Sequence, residues 1–280
     1  MSDRIAITAL VLLASIRAAA AAGPDVCPKQ NDPAAGPLAG GIGPADFGAV
    51  PEACGSTDAS LRVRGALLLA TTTPNYYGSI LGSTTLRGRY QLGERSTLSF
   101  AADVLDYGYV NNGGLASRPI SAGPATVGFH QTFPIGAVTA TSLYARLLLP
   151  LDTARDNGVE TGLELGASIR AAAGSRVVID GGLALPAPLD IVGGQAHGRL
   201  APVALAEAWL RLRPWVALAG GASVRLMAAP EFDLISAAPR LAARFAVRQR
   251  FWTALLLEFP VAGTDRTDLI AGLFAGFTPR

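Results

Sequence analysis

The chain has 280 residues, of which 50% are hydrophobic and only 16% are charged. Soluble domains carry about 25% charged residues, so this sequence is unusually apolar. Its formal net charge of +2 excludes the strongly basic surface of a nucleic-acid-binding protein. Beyond the N-terminus, no run of about 20 apolar residues is free of charge, glycine and proline, which argues against transmembrane helices.

The N-terminus has the pattern of a secretory signal peptide. Arg4 precedes an apolar run at residues 5–16, and the alanines at residues 20–22 supply the small residues of a cleavage site before Gly23. We therefore expect residues 1–22 to be a signal peptide that is removed on export. The alternative is a short N-terminal helix of a cytoplasmic protein.

Residues 23–58 form a second segment, which we call the leader. It is rich in proline and glycine and too poor in apolar residues to build a core of its own. It contains both cysteines of the chain, Cys27 and Cys54, and these pair in an oxidising compartment. We predict a periplasmic leader closed by this disulfide. With only two histidines in the chain, we expect no metal site, and no motif indicates a cofactor.

After Cys54 the chain becomes a series of segments in which apolar and polar residues alternate, as they do in strands. In residues 159–173 one face carries Leu165 and Ile169 and the other carries Glu164 and Arg170. We predict about twelve strands, at residues 60–70, 80–92, 96–106, 123–133, 137–149, 159–171, 176–185, 199–212, 215–227, 239–248, 251–259 and 267–277.

Two of these segments, residues 200–212 and 239–250, are rich in alanine, leucine and arginine, and their propensity alone would suit helices. Their alternation favours strands, and Pro202 and Pro214 would interrupt a long helix. A soluble α/β fold is the alternative.

The connections between the predicted strands alternate between long and short. With both chain ends on one side, every long connection falls on the opposite side, which is typical of a transmembrane β-barrel. Unpaired strand edges are too costly in hydrocarbon, so such a sheet must close. The face of Leu165 then contacts lipid and the face of Glu164 lines the interior.

On these grounds residues 59–280 resemble a Gram-negative outer-membrane β-barrel protein of the porin-like kind. The last strand places Leu269, Leu273 and Phe277 on one face, similar to the C-terminal assembly signal of such proteins. The resemblance implies an all-β fold, a closed antiparallel up-and-down barrel in the outer membrane. It also implies outer-membrane lipid, the barrel-assembly machinery and periplasmic chaperones as partners, and small solutes as cargo.

Alternation places more arginines than acids on the interior face. The candidate pore-lining residues are Arg87, Arg89, Arg146, Glu160, Glu164, Arg170, Asp180, Glu207, Arg211, Arg225, Arg244 and Glu258. If these charges pair across strands they occlude the lumen, and the barrel is structural. If the excess arginines stay unpaired and hydrated, they favour anions. We favour the second outcome, a narrow passive pore for small solutes with a weak anion preference.

Two further alternatives concern the leader and enzymatic activity. The leader is either a plug that enters the lumen or a loosely ordered segment, and we favour the loosely ordered segment. A surface hydrolase would have to use His130 or His197, but the chain has no nucleophile motif such as G-x-S-x-G. We therefore expect no enzyme activity.

Overall fold

The computed structural model describes residues 26–27, 34, 38, 44–68, 79–111, 115–121, 123–150, 159–192, 195–247, 250–264 and 269–278. Within this part the chain has one short 3₁₀ turn, Pro44–Asp46, and fourteen strands. The strands are β1 (Asp58–Leu68), β2 (Ser79–Gln91), β3 (Ser96–Asn111), β4 (Leu115–Ser121), β5 (Ala125–Ile135), β6 (Thr139–Leu149), β7 (Val159–Ala173), β8 (Val177–Val192), β9 (Gln195–Gly198), β10 (Val203–Arg213), β11 (Val216–Met227), β12 (Asp233–Ala246), β13 (Phe251–Glu258) and β14 (Leu269–Phe277). The predicted signal peptide lies outside the described residues.

Twelve of these strands form a closed antiparallel ring, in the order β1, β2, β3, β5, β6, β7, β8, β10, β11, β12, β13 and β14. The ring closes because β14 pairs with β1, from Ala59 opposite Phe277 to Leu67 opposite Leu269. The strands β4 and β9 lie outside the ring, paired with β3 and β8. The predicted closed barrel of about twelve strands is therefore confirmed.

The barrel is apolar outside and charged inside. Leu143, Leu165 and Leu273 are 57%, 50% and 59% exposed on the outer face, whereas Glu164 and Arg170 are fully buried. Water-soluble proteins show the reverse distribution, with apolar side chains inside and charges outside. The outer face is therefore suited to lipid, and the alternation predicted for residues 159–173 is confirmed.

The two ends of the barrel differ, as predicted. One end carries short turns, two of which contain Gly136 and Gly174 at φ values of 72° and 73°. This left-handed conformation is strained for residues with a Cβ atom. The chain runs into β1 from this end and leaves β14 at it. The opposite end carries the long connections.

Parts of the predicted long loops are in fact strand. The chain after residue 106 continues β3 and returns as β4, and the chain after residue 185 continues β8 and returns as β9. Strand β12 also begins within a predicted long loop, at Asp233 rather than at residue 239. Asparagine, glycine and proline made these residues look like loops, but hairpin pairing beyond the ring satisfies their backbone groups.

The two segments with helical propensity are strands. In β10 buried and exposed residues alternate from Val203 to Leu210, and β12 alternates in the same way from Ala238 to Ala242. Pairing with neighbouring strands outweighs the intrinsic preference of alanine and leucine for helices. Among the described residues, no helix has the length and apolarity needed to span a membrane.

Candidate functional site: a lumen filled by the leader

The leader enters the barrel and places an acidic residue among arginines of the wall. Asp46, at the end of the 3₁₀ turn, is 4% exposed and lies 2.5 Å from Arg62 of β1. It also forms an ion pair with Arg87 of β2. Alternation along β1 and β2 points both arginines into the lumen, so the leader supplies the charge that they require.

The electrostatic surroundings of Asp46 keep it ionised. Burial alone would raise the pKa of its carboxyl, because desolvation disfavours the charged form. The guanidinium groups of Arg62, Arg87 and Arg146 outweigh this effect and lower the pKa to about 2. Asp46 is therefore negatively charged at every physiological pH.

Polar side chains of the wall also bind the backbone of the leader. The Ala45 N–H donates to Asp103 at 2.7 Å, and the Ala45 carbonyl accepts from Thr126 at 2.8 Å. Arg146 donates to the carbonyls of Asp46 and Ala49 at 2.9 and 2.7 Å. The leader thus has its backbone satisfied by β3, β5 and β6, as buried peptide groups require.

The opposite half of the wall holds the earlier part of the leader. Arg170 donates to the carbonyls of Val26 and Ala34, and Arg240 donates to the carbonyl of Leu38. Leu38 packs in a buried apolar cluster with inward-facing side chains of β10, β13 and β14. These are Trp209, Trp252, Leu256 and Phe274, among others. Contacts on both sides mean that the described leader residues occupy the lumen.

The predicted disulfide joins Cys27 to Cys54. It lies against Ala140 and Ala172, beside the short-turn end of β6 and β7. The disulfide therefore lies within the mouth of the barrel at the end that carries the short turns. The favoured expectation of a loosely ordered periplasmic leader is wrong for residues 44–54, which pack inside the barrel instead because wall arginines bind their carboxylates and carbonyls.

Most of the predicted pore-lining residues face inward in the structure. The inward-facing residues are Arg87, Arg89, Arg146, Glu164, Arg170, Asp180, Glu207, Arg225, Arg244 and Glu258. Arg211 lies at the short-turn end of β10, where it donates to the Ser175 carbonyl at 3.3 Å. The side chain of Glu160 lies outside the described part of the structure.

Most of these charges lie in ion pairs rather than being hydrated and unpaired. Within the wall, Arg146 lies 3.1 Å from Glu164 and Arg170 lies 3.0 Å from Asp180. Arg240, which lies 3.0 Å from Glu258, is also 3.7 Å from Glu207. The expectation of unpaired arginines is wrong for these residues, because acids on neighbouring strands and in the leader neutralise them.

Sequence reasoning missed the part that the leader acids play. Glu52 lies 2.8 Å from Arg89, which also pairs with Asp58. The carboxylates of Asp46 and Glu52 together offset part of the excess of arginine over acid on the predicted interior face. That excess was itself a signal, since a buried positive wall needs acids from some other segment.

The histidines do not form a catalytic triad in the described residues. The imidazole of His130 is buried, lies 2.9 Å from the Ser99 hydroxyl and stacks on Tyr144. His197 lies on β9 opposite Asp190, at the exposed end of the barrel. No group of three metal-ligating side chains occurs within the described ranges.

The fold is similar to solved outer-membrane proteins, although no protein-family model matches the chain and no curated protein is significantly similar to it. The COG4313 outer membrane channel from Pseudomonas putida F1 superposes with a TM-score of 0.67 at 13% identity, over 85% of this chain and 100% of that one. A KdgM porin in complex with disordered oligogalacturonate gives 0.50 at 6% identity, over 79% and 99%.

A third structure, the translocator domain of the autotransporter NalP from Neisseria meningitidis, gives a TM-score of 0.50 at 11% identity, over 80% of this chain and 88% of that one. At such low identity these similarities establish the fold and do not assign a substrate. The chain therefore has the closed β-barrel fold of outer-membrane porins and channels.

Proposed function

We propose that the protein is a passive channel for small solutes in the outer membrane of a Gram-negative bacterium, closed at rest by its own leader. The observation that carries this proposal is the ion pairing of Asp46 with Arg62 and Arg87 inside the barrel. Such contacts join two separate parts of the chain, and water can replace them when the leader moves. The ring of strands closes without any contribution from the leader.

The wall itself has the composition of a channel. Inward-facing residues include Ser83, Thr85, Ser142 and Ser168 together with the paired charges. A ring of twelve strands is wide enough to enclose more than its own side chains. With the leader displaced, this polar surface would admit water and small solutes.

A weak anion preference follows from the loss of negative charge from the lumen when the leader is displaced. Displacement of Asp46 and Glu52 takes two carboxylates out of the lumen, whereas Arg62, Arg87 and Arg89 stay on the wall. Exposed rings of positive charge favour anions over cations. The preference is therefore a property of the open state.

Single-channel recording in planar bilayers tests the proposal on the full-length protein. We expect the wild type to conduct rarely and Asp46→Asn to conduct frequently, because breaking a buried ion pair costs about 3–5 kcal/mol. Glu94→Gln, in an exposed turn, is the matched control and should behave like the wild type. A potassium chloride gradient should give a reversal potential that favours chloride in the open state.

The filled lumen also favours a second candidate, a non-conducting structural barrel that acts through its long connections. Bilayers that stay sealed at high loading with both wild type and Asp46→Asn would support that candidate and reject the channel. Outer-membrane lipid, the barrel-assembly machinery and periplasmic chaperones are the partners that either candidate requires.

A further inference from the structure

Three arginines lie in neighbouring turns at the short-turn end of the barrel. Arg176 directly precedes β8, Arg213 ends β10, and Arg250 directly precedes β13. Their turns are adjacent around the ring, because β8 pairs with β10 and β11 pairs with β12. We call Arg176, Arg213 and Arg250 the arginine arc.

Backbone hydrogen bonds hold the turns of the arginine arc to the ends of the ring strands. The N–H of Arg211 donates to the carbonyl of Arg176 at 2.8 Å, and the N–H of Thr278 donates to the carbonyl of Arg250 at 2.8 Å. The positions of these arginines are therefore set by the barrel before any ligand binds. Such preorganisation lowers the entropic cost of binding.

The arginine arc carries positive charge that the barrel does not neutralise. Arg176 and Arg213 are exposed and Arg250 is half-buried, and none of the three forms an ion pair within the described residues. In the described part of the short turns the one acid is Glu94, which lies between β2 and β3, away from the arc. A partner with negative charge therefore fits this side of the rim.

The outer surface beside the arginine arc is apolar and aromatic. Leu212, Val247 and Phe251 are exposed there, and Trp215 is 56% exposed in the turn between β10 and β11. Aromatic side chains concentrate at the two interfaces of membrane barrels, where the lipid headgroups begin. The arginine arc is therefore at the depth of the headgroups.

The chemistry of this interface favours a phosphate group as the partner. A guanidinium binds phosphate through charge-assisted and often bidentate hydrogen bonds. Basic clusters next to membrane-spanning segments attract anionic lipids. In barrels of this fold the short turns face the periplasm, so the headgroups at this depth belong to the periplasmic leaflet.

We propose that the arginine arc binds anionic phospholipids of the periplasmic leaflet, of which phosphatidylglycerol is the simplest. The lipid phosphate binds at Arg176, Arg213 and Arg250, and the acyl chains pack on Leu212 and Phe251. This proposal goes beyond the proposed function, because it concerns how the barrel is held in its membrane. It depends on the fold and is independent of whether the lumen conducts.

Tryptophan fluorescence of the full-length protein in vesicles tests the proposal, because Trp215 lies beside the arginine arc. The other two tryptophans of the chain, Trp209 and Trp252, are buried in the lumen. Bromine on an acyl chain quenches tryptophan at short range. Stepwise replacement of dibrominated phosphatidylcholine by unbrominated phosphatidylglycerol therefore gives the relative binding constant of the two lipids near Trp215. The signal of a Trp215→Phe variant is subtracted to remove the buried tryptophans.

We expect phosphatidylglycerol to bind about fivefold more tightly than phosphatidylcholine, which is the usual contribution of one basic residue beside anionic headgroups. Phosphatidylethanolamine, which is zwitterionic, should bind no more tightly than phosphatidylcholine. The Arg176→Gln/Arg213→Gln/Arg250→Gln variant should bind phosphatidylglycerol and phosphatidylcholine equally. Heat-modifiable migration on a gel establishes that each variant is folded.

Two single variants separate the arginine arc from the net charge of the protein. Arg213→Gln should lower the preference for phosphatidylglycerol. Arg95→Gln is the matched control, because Arg95 is also exposed in a short turn but lies next to Glu94 and outside the arc. This control should keep the preference of the wild type.

The proposal is overturned if phosphatidylglycerol and phosphatidylcholine bind the wild type equally, or if folded Arg213→Gln and Arg95→Gln lower the preference by the same amount. Equal binding of the two lipids, together with binding of polyglutamate to the wild type and not to the triple variant, would assign the arc to an acidic periplasmic protein instead. The lipid series on the wild type decides the question even where the triple variant does not fold.

Discussion

Asp46 shows how one residue of the leader completes the wall of the barrel. The alternation of β1 and β2 places Arg62 and Arg87 in the lumen, where arginine without a counter-charge is costly. The carboxylate of Asp46 forms ion pairs with both arginines. The nearby N–H groups of Ala45 and Gly48 donate hydrogen bonds to the carboxylates of Asp103 and Glu164. Strand periodicity predicted the arginines, but not the acid that pairs with them.

The lowered pKa of Asp46 predicts that acid releases the leader. In the released leader the carboxyl has its ordinary pKa of 3.8, and in the docked leader the pKa is about 2. Docking therefore gains on the order of 2 kcal/mol from Asp46 above pH 4, and loses it as the pH falls from about 4 to about 2.

Channel openings recorded over this pH range should become more frequent as the pH falls. In Asp46→Asn the frequency should be high throughout and nearly independent of pH. A wild-type response that persists in the asparagine variant would show that another group is responsible.

The outward face of β7 permits a second prediction at the residue scale. Leu165 is 50% exposed near the middle of its strand, and Leu212 is 47% exposed near the short-turn end of β10. Leu165→Arg should destabilise the barrel in lipid by about 2–4 kcal/mol, and Leu212→Arg by about 0–1 kcal/mol, because the cost depends on depth. Urea titration of vesicle-folded protein measures both, and equal costs would contradict the assigned depth.

At the scale of elements, the disulfide determines how far the leader can move. Cys27 and Cys54 are separated by 27 residues, and closing such a loop removes about 3–4 kcal/mol of chain entropy from the undocked state in the chain-entropy model. The ends of this loop sit against Ala140 and Ala172. The disulfide therefore favours a leader that stays in the lumen.

The Cys27→Ser/Cys54→Ser double variant should release the leader more often than the wild type. We expect faster protease cleavage within residues 23–57 and more frequent channel openings, with the strands still resistant to protease. Wild type treated with reductant should behave in the same way. Identical cleavage rates in the oxidised and the serine proteins would show that the disulfide does not restrain the leader.

Strand pairing explains which elements the sequence predicted well. The twelve ring strands have alternating faces, so local periodicity identified them. The second half of β8, toward the long connections, carries Pro186 and Pro188, and β3 ends at Asn111. Both segments therefore resembled loops in the sequence. Their strand geometry comes from pairing with β9 and β4 rather than from composition.

For the whole molecule, the closed ring predicts that the barrel folds independently of the docked leader. Detergent-folded protein should give a strand-dominated circular dichroism spectrum and migrate faster on a gel before heating than after it. Asp46→Asn should retain both properties, because β1 pairs with β2 and β14 without help from the leader. Loss of the folded band in this variant would instead make the leader an integral part of the barrel.

The sequence by itself determined the outward and inward faces of the strands, the twelve-strand ring and the disulfide between Cys27 and Cys54. Each of these depends on local spacing, turn length or the count of cysteines. Only the tertiary structure decided what fills the lumen. Arg240 binds the carbonyl of Leu38 across 202 positions of sequence. A contact of this kind exists only after the ring has closed and brought distant strands around the leader, so no local pattern encodes it.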